Sequence, residues 1–201
     1  MKKIALMLAV LCFSAALFSC SSAPKITRVN ADEAIDLSGN WNDTDSKLVA
    51  DEMMADSVAR PWMDNFIKAN QTKPRIIVGT VLNKSDEHIN TETFVKDLER
   101  SLINTGKATF VASKAERDEI RDERMDQADF SDPATVKKFG KEIGADFMLK
   151  GQINTITDAI KNETLKYYQI ELELVDIQTN EKVWIGQKKI KKVVGKKKYK
   201  A

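Results

Sequence analysis

From Tyr168 to Leu174 the chain alternates without a break: Tyr168, Ile170, Leu172 and Leu174 are large and apolar, while Gln169, Glu171 and Glu173 between them are polar. Successive side chains of a strand point to opposite faces, so this segment fits a sheet with one face buried and the other wetted. Phe147-Met148-Leu149 begins a strand before it. Val183-Trp184-Ile185 opens another after the turn residues Gln178-Thr179-Asn180-Glu181. The last third therefore reads as a three-strand antiparallel meander.

Upstream the period changes. Between Thr44 and Asn70 the apolar residues Leu48, Val49, Met53, Val58, Trp62, Phe66 and Ile67 recur at helical steps, interrupted by Pro61, which predicts a kink or two consecutive helices. Arg75 to Leu82 is a β-branched apolar run expected to be a buried central strand. A helix follows, with Asn90 as its cap, Ile89 and Phe94 as a hydrophobic staple, Leu98 and Leu102 along its stripe and Gly106 at its stop. After a short strand at Ala108 to Val111, Ser113-Lys114-Ala115-Glu116 is a capping box opening a sparse, charged helix. A further helix is expected from Asp132 and Pro133 to Gly144, burying Val136, Phe139 and Ile143. The expected fold is α/β (α+β): a single domain with a mixed four- to five-stranded sheet flanked by helices.

The amino end sets the compartment. Lys2 and Lys3 precede an apolar run, Ile4 to Leu17, too short to span a membrane, and Leu17-Phe18-Ser19-Cys20 has the L-x-x-C pattern of a bacterial lipobox. Residues 1–19 are expected to be a lipoprotein signal peptide, with Cys20 lipidated after cleavage. Cys12 leaves with the signal, so the mature chain has no thiol pair for a disulfide. Ser21 after the cysteine favours the outer membrane under enteric-type sorting. Residues 20–40 form a flexible tether, 41–195 the folded domain and 196–201 a basic tail. Twenty residues of tether reach at most about 65 Å.

The formal charge of +2 falls to about zero once Lys2 and Lys3 are removed, so no global field points to a polyanion, and nucleic acid is not an expected partner. Positive charge gathers instead in Lys188 to Lys200. That end could meet lipid headgroups or an acidic protein surface, or be a solvated strand edge with a frayed tail.

Catalytic patterns fail one by one. His88 is the only histidine, which leaves no His-rich metal cluster and no histidine-based nucleophile relay. A calcium loop starting at Asp43 would need glycine and glutamate where Leu48 and Met54 stand. Ser22-Ala23-Pro24-Lys25 matches S-x-x-K but lies in the tether, without the companion motifs of penicillin-binding enzymes. Glycines 140, 144 and 151 are too widely spaced for a nucleotide fingerprint. A carboxylate pair acting as acid and base is left open as a third, envelope-enzyme reading.

Several stretches, with the lipobox, resemble the LpoB-type activators of penicillin-binding proteins. They are SGNWNDTDSKLVADEM at 38–53, RPWMDNF at 60–66, PRIIVGTVLNKSDEHINTETF at 74–94, GADFMLKGQI at 144–153 and YYQIELELVDIQTNEKVW at 167–184. The resemblance implies a domain similar to the amino-terminal domain of TolB on a lipid-anchored arm at the periplasmic face of the outer membrane. It also implies docking on a bifunctional class A penicillin-binding protein and allosteric stimulation of peptidoglycan synthesis. No cofactor, metal, small-molecule substrate or catalytic residue follows from it, and the protein is expected to be a monomer. Enteric members have long proline-rich tethers, whereas this one is short and contains only Pro24.

The alternative is a secretion or assembly lipoprotein like the curli exporter CsgG. Long alternating hairpins for a lipid-facing barrel are not seen before the final meander. Expected partner-binding residues are Trp41, His88, Lys188 and Lys189. Trp41 also has a structural reading, as a lid packed beside a helix capped by Asn42, Asp43, Thr44 or Asp45. The candidate docking faces are the helix from Ser113 to Asp129, the loop from Lys84 to Ile89, and the basic final strand.

Overall fold

The computed structural model describes residues 26–31, 33–132, 134–136 and 142–195. The chain divides into two compact units, Met1–Glu33 and Ala34–Ala201. In the first, the described residues form neither helix nor strand and are exposed.

Among its described residues the second unit has nine elements: α1 (Asp43–Val58), α2 (Pro61–Asn70), β1 (Arg75–Lys84), α3 (Thr91–Asn104), β2 (Thr109–Phe110), α4 (Lys114–Phe130), β3 (Phe147–Ile160), β4 (Glu163–Asp176) and β5 (Lys182–Gly195). The sheet order is β2-β1-β3-β4-β5, with β1 parallel to both β2 and β3 and the remaining pairs antiparallel. It is thus the expected mixed sheet, with five strands. Among the described residues no helix is long and apolar enough to cross a membrane.

Pro61 separates α1 from α2 as the first residue of the second helix, where its missing N–H costs nothing. Asn42 caps α1 in a reciprocal capping box with Asp45. Asn90 caps α3 by accepting from the backbone N–H of Glu92 and Thr93. Ile89 and Phe94 are both buried, as the staple requires, and Gly106 takes a φ of +65° just past the helix end.

Helices α1, α2 and α3 cover one face of the sheet. Val49, Met53, Met54, Trp62, Met63, Phe94, Leu98 and Leu102 from the helices form one core with Ile76, Val81, Leu149, Ile153, Tyr168, Ile170, Leu172, Leu174 and Trp184 from the strands. Trp62 and Phe66 each pack edge-on against Phe147 at 5.2 Å, and the Trp184 Nε1–H donates to Asp56 at 2.9 Å. The polar alternates of β4, Gln169, Glu171 and Glu173, point to the other face.

Three expectations change. β1 is not the central strand: β3 is, and β1 lies next to the two-residue edge strand β2. Its apolar run is buried only at Ile76 and Val81, a register shift falls between Val78 and Val81, and Leu82 is 45% exposed, because it faces away from the side that α1, α2 and α3 cover. Ile143, expected in a core, is 64% exposed in non-helical backbone. Asp132 accepts from Thr135 and Val136 in a turn there, while Pro133, Phe139 and the rest of 137–141 lie outside the described residues. Finally, the meander strands run to 14 residues each, well beyond their apolar segments, since Asn154 to Asp158 pair fully with Leu165 to Gln169 although polar residues break the alternation.

Candidate docking surfaces and the tether junction

Strand alternation decides which lysines face inward. In β5, Lys188 and Lys192 are in phase with buried Trp184, and in β4 Lys166 is in phase with buried Tyr168. These three cations therefore rise on the helix side of the sheet and need acids to meet them.

Glu87, in the β1–α3 loop, meets Lys166. Its Oε1 accepts from the Lys166 ammonium and from the Tyr168 hydroxyl, both at 2.6 Å, and its Oε2 accepts from the Trp41 backbone N–H at 2.9 Å. The Lys166 and Glu87 side chains are only 17% and 11% exposed. Burial pushes the Glu87 carboxyl up, but the donors from Lys166, Tyr168 and Trp41 together outweigh it and hold the group below its ordinary value. Burial and the adjacent carboxylate push the Tyr168 hydroxyl well above the usual tyrosine range, so it stays a donor.

Lys192 makes the second knot. Its ammonium donates to Asp45 at 2.6 Å, to Asp36 at 2.8 Å and to the Asn40 carbonyl at 3.2 Å. Burial lowers its proton affinity, and the bonds to Asp36 and Asp45 more than restore it. Lys166 also holds the Asn40 side chain, and Gly39 lies against Val194. Residues 36–41, most of which the sequence placed in a flexible tether, are thereby fastened to β4, β5 and the β1–α3 loop, within the compact unit that starts at Ala34. Every polar group of this clasp is satisfied by another, so it reads as a fastening rather than a reaction centre.

Trp41 belongs to the same junction. Its ring packs at 5.8 Å from Phe94 and 5.7 Å from Tyr168, half-buried over the core, as the lid reading expects. His88, beside Glu87, is exposed. Lys188 is half-buried and pairs with Glu52 of α1, whereas Lys189 is exposed on the face turned away from α1. The structure thus brings Trp41 and the His88 loop together and sets Lys188 and Lys189 on opposite faces of one strand. Cys20 lies outside the described residues. Glu87, Lys166, Tyr168 and Lys192 were not singled out from the sequence. The signal was present for the lysines in their phase with Tyr168 and Trp184.

A different surface forms on α4, which buries none of its residues. Ser113 and Glu116 form its capping box, and Lys96 of α3 reaches Glu116 at 2.7 Å, which with the Ser113 contacts lowers the Glu116 carboxyl to about 2. On the next turns Arg117, Arg121 and Arg124 converge on Glu142, Arg121 in a two-pronged contact at 2.8 and 2.7 Å. Between this clamp and the sheet edge lies a surface hollow of about 390 Å³ that includes Arg75, Phe110, Val111, Ile120 and Ile143. Outward from it stand Glu119, Asp122, Glu123 and Asp126, with Met125 53% and Phe130 82% exposed. Among the described residues no group of three His, Cys, Asp or Glu side chains could hold a metal ion.

Comparison with known proteins now bears on these surfaces. No curated protein matches the chain. Solved structures similar to it include the LpoB C-terminal domain from Salmonella enterica (18% identity, 65% of this chain and 93% of that one, TM-score 0.36). An NMR structure of Escherichia coli LpoB has 14% identity over 90% of this chain and 87% of that one, with a TM-score of 0.41. Lipoprotein GNA1162 from Neisseria meningitidis has 15% identity over 60% and 83%, with a TM-score of 0.40. At these values the three likenesses carry no argument of their own. The profile of the peptidoglycan-synthase activator LpoB does, matching residues 45–190, from the first turn of α1 into β5. By that match, over more than half of its length, the chain belongs to the LpoB family of peptidoglycan-synthase activators.

Proposed function

We propose that this protein is a lipid-anchored envelope protein that binds a bifunctional class A penicillin-binding protein and allosterically raises its peptidoglycan synthesis, catalysing nothing itself. The observation that carries this reading is the family match over residues 45–190. The lipobox at Leu17 to Cys20 supports anchoring through Cys20, at the periplasmic face of the outer membrane. Activation of this kind requires the protein to bind the active conformation of the synthase more tightly than the inactive one.

For the docking face, α4 is the best supported of the three candidates. It is an exposed amphipathic helix held to the domain by ion pairs, and it presents an apolar hollow and large apolar side chains beside a negative face. Such a helix fits a groove with apolar pockets and basic flanks. Trp41 and Lys188 are turned inward, Trp41 against Phe94 and Tyr168 and Lys188 against Glu52 of α1. His88 and Lys189 are the solvent-facing members of the expected set.

The test is glycan-chain polymerisation by the cognate synthase, with and without the chain from residue 20 onward, together with a pull-down of the two. Stimulation accompanied by binding is the expected result, and Ile120→Ser with Met125→Ser should lower both. A synthase indifferent to excess protein would overturn the reading. Binding without stimulation would reduce the protein to a scaffold.

A further inference from the structure

The outer halves of β3, β4 and β5 carry side chains that no described residue covers. Ile156, Ile160 and Val193 are 66%, 73% and 62% exposed. The register places Ile156 opposite Tyr167, which lies opposite Lys191, and Asp158 opposite Leu165, which lies opposite Val193. These rows share the face of the sheet opposite the helical core, since their neighbours Tyr168 and Ile170 point into that core. The result is an apolar patch at one end of this face, of the sort that soluble surfaces usually avoid.

Charge says what the patch suits. Lys191 stands in the row of Ile156 and Tyr167, with its ammonium 6.0 Å from the tyrosine ring centroid, and Lys189 and Lys161 are exposed beside it. Asp158 and Glu163 are the opposing carboxylates in the same area. Beyond Gly195 the sequence continues with Lys196, Lys197, Lys198 and Lys200. Apolar groups ringed by lysines, with a tyrosine between them, are suited to the boundary of an anionic bilayer. There the apolar groups enter the acyl region and the lysines reach back to phosphate.

The tether arrives at this end of the domain. Asp36 is bonded to Lys192, Gly39 lies against Val194, and residues 36–39 line a hollow with Lys191 to Gly195. The sixteen residue-to-residue steps from Cys20 to Asp36 span at most about 55 Å. We propose that this end of the β3–β4–β5 sheet is a second, reversible membrane contact that rests on anionic phospholipid. It would hold the domain against the leaflet that anchors it and turn α4 away from it, since the α4 clamp gathers around Arg75 at the opposite end of the strands. The role in an anchored protein rests on the lipoprotein reading above; the contact itself does not.

The experiment separates the two. The chain from residue 20 onward, with Cys20→Ser so that no lipid is attached, is co-sedimented with vesicles of phosphatidylcholine and with vesicles containing phosphatidylglycerol. No synthase is present, so the outcome is independent of the polymerisation assay. The expected result is partition into the phosphatidylglycerol vesicles only, weakened by salt. Each lysine at such a surface contributes about fivefold, so Lys161→Glu with Lys191→Glu should cut partition by more than about twentyfold. Ile156→Ser with Val193→Ser should also lower it, with the thermal midpoint unchanged because both side chains are already exposed. No partition by the parent chain would overturn the proposal, as would variants that bind equally well. A concentration-dependent dimer without lipid, abolished by the same apolar variants, would also overturn it and assign the patch to a second copy.

Discussion

Replacing Glu87 tests whether the junction clasp contributes to stability. Glu87→Ala removes the acceptor shared by Lys166, Tyr168 and the Trp41 amide. The loss is smaller than three charge-assisted bonds at ~1.5–3 kcal/mol each. Tyr168 keeps the Gly39 carbonyl at 2.9 Å, and Lys166 keeps the Asn40 side chain. What is left is an ammonium 17% exposed with one neutral partner, and a backbone N–H without an acceptor. Breaking a fully buried pair costs ~3–5 kcal/mol, so about 3 kcal/mol is expected for this nearly buried one. At ~2–4 °C per kcal/mol for a protein of this size, the midpoint should fall by about 6–12 °C.

In urea titrations at neutral pH, the midpoint should move with the slope unchanged. Glu87→Leu combined with Lys166→Met should cost less than the sum of the single changes by about 2 kcal/mol, because the double variant leaves no buried charge unpaired. The sign with pH follows from the lowered Glu87 carboxyl. Its contribution is complete above the unfolded value of about 4.3 and is lost as pH falls through the lower folded value, so Glu87→Gln should flatten the acid limb of the stability profile. Additive single variants, or a Glu87→Ala loss below about 1 kcal/mol, would refute the argument.

Other outcomes can be checked directly. Asn90→Ala should cost about 1 kcal/mol through loss of the α3 cap, read by thermal unfolding. Gly151→Ala should cost ~1–3 kcal/mol, because its methyl would overlap the Glu171 carbonyl and the Leu172 side chain across the β3–β4 pair. Glu142→Gln removes the negative charge that Arg117, Arg121 and Arg124 share and leaves them a single neutral acceptor oxygen, so amide exchange should speed up along α4 with the global midpoint hardly moved.

Much of the fold could be read locally. The Asn90 cap, the Ile89–Phe94 staple, the Gly106 stop and the Ser113–Glu116 box each depend on residues within one turn of one another, and all four stand in the structure. The alternation of β4 is equally local, and its inward set is buried from Tyr168 to Leu174. The rank of β1 was not legible, because Ile76-Ile77-Val78 looks the same in a central strand as beside an edge, and the number of covered faces depends on where the helices pack. Strand length was hidden for a related reason: backbone pairing with β4 carries β3 through Asn154 to Asp158 whatever the side chains prefer.

The candidate surfaces divide in the same way. The L-x-x-C pattern ending at Cys20, the lone histidine and the basic carboxyl end are properties of the sequence; the lone histidine argued against histidine-based chemistry, and the wide spacing of Gly140, Gly144 and Gly151 against a nucleotide fingerprint. Only tertiary structure separated Lys188 and Lys192, drawn inward to Glu52, Asp45 and Asp36, from Lys189 and Lys191 on the open face. Alternation tells that neighbours diverge, but the direction and the acids waiting there come from elements far away in the chain. Glu87 meets Lys166 from 79 residues away, and Asp45 meets Lys192 from 147. A charge's meaning is fixed by what desolvates and pairs it, and in this protein those partners are joined only when α1 and the β1–α3 loop close over the sheet.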